Sequence, residues 1–171
     1  MKKILFAAVI AFAAVSLRAD ADGYFMLSVF SPGQLPAPSS TIYGGRLSLI
    51  YGDCHELYGV DFGITGSVRE HMNGAQFNLF WNGIVTDMAG FQLGVANTVE
   101  GYFAGWQLGL VNVSDELYGC QLGLVDVASA VYGCQLGLVN VTTRLYGCQL
   151  GLLNFSTDRA WTFWPFINIG W

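Results

Sequence analysis

Residues 119–132 read GCQLGLVDVASAVY, residues 133–146 read GCQLGLVNVTTRLY, and residues 147–160 read GCQLGLLNFSTDRA. Three successive segments of 14 residues thus share the unit Gly-x-Gln-Leu-Gly-Leu-x-Asn/Asp. Self-similarity at a fixed short period is the mark of a repeat architecture, and it takes precedence over element-by-element assignment. Working backwards, the leading glycine recurs at Gly105, Gly90, Gly74, Gly59 and Gly45, the last two placed by spacing and a weak pattern. From Gly45 the spacings are 14, 15, 16, 15, 14, 14 and 14, which makes eight copies with degenerate early members. Gln76, Gln92, Gln107, Gln121, Gln135 and Gln149 all stand two residues after their glycine.

Within a unit the period is two, which denotes strands with unlike faces. Tyr118, Cys120, Leu122 and Leu124 fall on one side; Gly119, Gln121 and Gly123 fall on the other. Helix is disfavoured, since each interior glycine costs roughly 1 kcal/mol relative to Ala. Polar tips such as Ser114-Asp115-Glu116 and Thr142-Thr143-Arg144 separate the units, as hairpin loops would. Val125 and Val127 break the alternation, which implies a bulge or a corner near the Asn/Asp position.

An all-β fold follows, with two arrangements open. The preferred one is an antiparallel meander of one strand per unit, closed into a barrel. Its Tyr/Leu face meets lipid and its Gly/Gln face a narrow lumen. Adding a first strand at Phe25 to Phe30 and a last near Trp164 to Trp171 gives ten strands, an even number as in outer-membrane barrels. Tyr118, Tyr132 and Tyr146 would then alternate between the two rims. The alternative is a two-sided β-solenoid with one coil per unit, in which Gln and Asn stack in ladders at about 4.8 Å. The 15- and 16-residue units weigh against the coil, as does the lack of an evident cap. An aromatic closing strand resembles the delivery signal of outer-membrane barrels, whereas Pro165 disfavours full pairing there.

Residues 1–21 read as a bacterial export leader. Lys2 and Lys3 form a positive start, the stretch from Ile4 to Leu17 is apolar apart from Ser16, and Ala19-Asp20-Ala21 is a small-x-small cleavage pattern. The apolar run is shorter than the roughly 20 residues that span a bilayer. Residues 22–171 are then a single β-repeat domain. This part carries four arginines against eleven Asp and Glu, a net charge of −7. Nucleic acid is excluded as a partner, because phosphate binding needs a basic footprint. The whole chain is 53% hydrophobic and only 11% charged, a surface poorly stocked for water and suited to membrane lipid.

Catalytic and metal chemistry is sparse. His55 and His71 are the only histidines, and Asp53-Cys54-His55-Glu56 is the only close cluster of ligand types. Adjacent residues on a strand point to opposite faces, so this run reads as a polar loop, and no catalytic, cofactor or metal residue is assigned. Cys120, Cys134 and Cys148 share one slot, filled by Trp106 and Phe91 in earlier copies, so they read as small apolar packing groups. In a meander, Cys120 and Cys134 lie too far apart to be bridged. The sequons at Asn112, Asn140 and Asn154 follow the phase of the repeat.

At these residues the chain resembles a family of bacterial surface-repeat proteins whose units read Gly-x-Gln-x-Gly-x-x-Asn. The match is clear from Gly90 to Asn154 and faint from Gly45 to Trp81, where Leu47 and Asp61 stand for Gln; Asp126 stands for Asn. The resemblance implies an outer-membrane or cell-surface location and a β-rich fold, but no activity. The expectation is a non-enzymatic structural or membrane-associated protein. Its competitor is a soluble periplasmic or secreted binding module that presents an acidic, Gln/Asn-lined face.

Overall fold

The computed structural model describes residues 22–31, 33–158 and 160–171. The export leader expected at 1–21 lies outside the described residues. All regular structure among those described is β. In order the strands are β1 (Gly23–Phe30), β2 (Gly33–Leu35), β3 (Thr41–Cys54), β4 (Glu56–Val68), β5 (His71–Ile84), β6 (Asp87–Leu93), β7 (Ala96–Leu108), β8 (Val111–Leu122), β9 (Val125–Leu136), β10 (Val139–Ser156) and β11 (Phe163–Gly170).

From β3 to β10 every pairing is parallel. Register is like on like: Tyr118 lies beside Tyr132, Cys120 beside Cys134, Gln121 beside Gln135. The chain is therefore a β-solenoid of about eight coils, and the ten-stranded antiparallel barrel is incorrect. Both folds use alternating strands; they differ in whether the chain reverses at each polar tip or turns a corner and continues. Here it turns two corners per coil. After Leu122 the chain bends at Gly123-Leu124, which swings Asp126 and Ala128 inward and leaves Val125 and Val127 outside. The valines that broke the alternation are the outer residues of a second face.

The direction of each side chain survives this correction. Gln is interior and Leu exterior, but the interior is a packed core rather than a lumen. Every repeat glutamine is fully buried, so it cannot line a binding face either. One interior column is apolar: Ile42, Leu57, Met72, Met88, Phe103, Leu117, Val131 and Leu145. Beside it run two amide ladders. Asn168 donates to Gln149, which donates to Gln135, and so on through Gln121, Gln107, Gln92 and Gln76 to Asp61, at 2.7–3.2 Å. The second ladder donates the other way, from Asn78 through Asn82, Asn97 and Asn112 to Asp126 at 2.7–2.8 Å. Each such bond adds about 0.5–1.5 kcal/mol net, while each one broken leaves a buried polar group costing about 1–3 kcal/mol. Opposed directions let the two rows of amide dipoles offset each other.

Close stacking explains the leading glycines. Gly119 has φ 145°, and a Cβ there would lie 2.0 Å from the Gly105 carbonyl oxygen. The first of the series is Gly44, with φ 144° and in register with Gly59, so the assignment to Gly45 is one residue late. Arg46, not Leu47, then occupies the glutamine slot, beside Asp61. Longer units absorb their extra residues at corners, as the register shift between Gly63 and Thr65 illustrates.

Both ends are capped. β2 folds back antiparallel on β1, which lies parallel to β3. At the other end β11 runs antiparallel to β10. Its pairing is interrupted opposite 151–154, around Pro165, where Phe166 adopts φ 65°. The closing strands fall where the sequence placed them, and Pro165 perturbs the last one as its missing N–H requires.

Candidate functional site

Two long edges run along the solenoid, one at each corner of the coil, and they differ in chemistry. The corner after the second repeat glycine carries one aliphatic residue per coil: Leu49, Ile64, Leu79, Val95, Leu110, Leu124, Leu138 and Leu152. Backbone bonds such as Leu124 N–H to the Leu110 oxygen, at 2.9 Å, hold them in line. Each is 38–62% exposed, so none is covered by the other described residues. A parallel row, including Leu47, Phe62, Leu93 and Leu150, is also exposed. Between the rows the repeat glycines leave a furrow. Part of it, an open groove of about 570 Å³, is lined by Phe77, Leu79, Leu93, Val95 and Leu110. Glycine is required beneath it, since a Cβ at Gly109 would lie 2.6 Å from the Asn97 amide nitrogen.

The opposite edge is polar. His55 faces Glu70 and His71 faces Asp87, each at 3.6 Å, and every one of these side chains is about half exposed. Glu56, Glu70 and His71 bring one ligand-type atom each to within 4.8 Å of one another. Tandem stacking makes this grouping, by placing residues 15 apart side by side, so the sequence cluster Asp53-Cys54-His55-Glu56 does not stay together. Cys54 turns into the core, and Asp53 pairs with Arg69. Farther along, Asp115 and Glu116 continue the acidic edge. Surface ion pairs of this kind contribute about 0–1 kcal/mol each.

Between the edges, one outer face carries stacked aromatics. Tyr118 lies 4.4 Å from Tyr132, and Tyr132 lies 4.9 Å from Tyr146, between ring centroids. They form one column and do not alternate between rims. On the same face Cys120, Cys134 and Cys148 are neighbours, with 2.8 Å between the sulfurs of Cys134 and Cys148. Burial and the adjacent Cys134 push the Cys148 thiol up to about 11.

An ion pair lies within the core. Arg46 grips Asp61 with two bonds of 2.8 and 2.6 Å, and also donates to the Ser67 carbonyl oxygen at 2.6 Å. Burial opposes the Arg46 charge, but Asp61 and then Cys54 outweigh it and raise its pKa. Burial pushes the Cys54 thiol up to about 11, with nearby Arg46 opposing the shift. Sequence reasoning missed this pair because the glycine frame was offset by one. The Gly44-Gly45 doublet was the ambiguous signal.

The chain matches no family model, and no curated protein or solved structure is recognisably similar to it.

Proposed function

We propose that this is a non-enzymatic, surface-associated structural solenoid that lies on a membrane through its aliphatic edge, with its acidic edge toward water. The observation that carries the reading is the unbroken exposed column from Leu49 to Leu152. Soluble monomers seldom leave a long contiguous apolar surface uncovered. Fully burying an aliphatic side chain is worth about 1.5–3 kcal/mol, so half-exposed residues retain roughly 1 kcal/mol each for an apolar phase. Eight in a row supply several kcal/mol. The charge arrangement parallels that of interfacial amphipathic elements, although the negative charge here favours neutral over anionic lipid. A location at the outer membrane or cell surface fits this reading.

Flotation with phosphatidylcholine vesicles tests it. The folded protein should float with the vesicles, and the double variant Leu110→Glu/Leu124→Glu should stay at the bottom while keeping its β circular dichroism. Equal flotation of both, or no flotation of the parent protein, rejects the reading.

A further inference from the structure

We infer that Cys120, Cys134 and Cys148 form a redox modification site that holds one disulfide between adjacent coils, with Cys134 an obligatory partner in it. The three thiols occupy equivalent positions on successive parallel strands, bounded by Trp106 at one end of the column and Ile169 at the other. Parallel neighbours lie about 4.7–4.9 Å apart, inside the Cα range of roughly 4.4–6.8 Å that a disulfide accepts. The Cys134 and Cys148 sulfurs are already 2.8 Å apart, so closure to about 2.05 Å needs only a small rotation. Cys120 and Cys148 are two strands apart, about 9.5 Å, beyond that range. Of the three possible bridges only two can form, and both use Cys134.

All three thiols are partly exposed on the outer face, whereas Cys54 is fully buried. The oxidant is a small-molecule disulfide such as oxidised glutathione. A thiolate of the pair attacks one sulfur of the reagent, giving a mixed disulfide and releasing one glutathione thiolate. The second thiolate then attacks the protein sulfur and expels the other glutathione. Two protein thiols and one reagent disulfide become one protein disulfide and two glutathione thiols. The remaining outer thiol stands next to the bridge, where thiol–disulfide exchange can move the link by one coil. Burial and contact with Cys134 raise the Cys120 and Cys148 pKa values, so the reaction should accelerate with pH.

The experiment exposes dilute, folded protein to oxidised glutathione at pH 8.5, then alkylates in native buffer and counts adducts by mass spectrometry. Unoxidised protein should take up three alkyl groups, and oxidised protein one, with an intramolecular bridge. Cys120→Ser and Cys148→Ser should each form a bridge, whereas Cys134→Ser should keep both remaining thiols alkylatable. Bridging in Cys134→Ser at the parental rate would overturn the inference. So would three alkylatable thiols in the parent after a control dithiol has fully oxidised, or a bridge only between two molecules.

Discussion

Asp126 and Asn140 stand one coil apart in the same interior column, and each keeps a buried side-chain oxygen without a hydrogen-bond partner. Asp126 Oδ2 and Asn140 Oδ1 share the space over Gly137, where a Cβ would lie 2.8 and 2.9 Å from them. The asparagine ladder is broken at this point. Asn112 donates to Asp126 Oδ1, and Asn140 donates onward to Asn154, but an ionised carboxylate cannot donate across the gap.

Protonation would mend the break, since a carboxylic acid at Asp126 can donate to Asn140. Burial raises the Asp126 pKa to about 6, against opposition from the Asn112 amide and the Gly123 and Leu136 backbone. Because the folded value exceeds the usual unfolded value of about 3.9, the unfolded chain ionises first as pH rises. Asp126 therefore favours the folded state fully below about pH 4, and that contribution is lost as pH rises through about 6. Asp126→Asn should remove this dependence and stabilise the protein by about 3 kcal/mol at pH 7.5. Urea titrations of both proteins at pH 5.0 and 7.5 check the prediction, and parallel pH curves would refute it.

Gln135→Arg should be far more damaging to folding than Leu136→Arg. Gln135 is fully buried between Gln121 and Gln149, whereas Leu136 lies on the partly exposed outer face. An unpaired guanidinium in the ladder should cost about 3–5 kcal/mol, while the Leu136 change should cost about 1 kcal/mol or less. A barrel would reverse this order. Thermal unfolding of the two variants distinguishes the cases.

The two neighbouring glycines at the first coil should respond differently to alanine. Gly44→Ala puts a Cβ 2.4 Å from the Tyr24 carbonyl oxygen at φ 144°, and should cost about 3 kcal/mol or more. Gly45→Ala meets only the Phe25 ring, at 3.3 Å, and that exposed side chain can give way. Its cost should stay under about 1 kcal/mol. Comparable denaturation midpoints for both variants would show that the repeat does not start at Gly44.

Asp61→Asn should destabilise by about 3–5 kcal/mol, since it strands the buried Arg46 charge and removes a carboxylate oxygen that also accepts from Gln76 and Asn78. Arg46→Gln/Asp61→Gln should recover much of that loss by extending the glutamine ladder two coils. Equilibrium unfolding of the single and double variants measures the recovery. No gain in the double variant would mean that the pair does more than stand in for two amides.

The sequence by itself determined the repeat, its length and which residues alternate, because in any two-faced strand Gln and Leu at consecutive positions must point opposite ways. It also located the closing strands and the disturbance at Pro165. Whether the polar tip of each unit is a hairpin or a corner was left open, because both satisfy the same alternation, and the valines at 125 and 127 were the local sign of a corner. The tertiary structure decided it through like-on-like stacking. Parallel register lets a buried glutamine such as Gln135 pair with the identical group of the next coil, which an antiparallel meander cannot do along the whole row. The same stacking gathers Leu49 to Leu152 into one edge, brings three thiols into contact, and reveals the missing donor between Asp126 and Asn140. These relationships join residues 14 to 16 apart by the pitch of the coil, and they exist only once the chain has wound on itself.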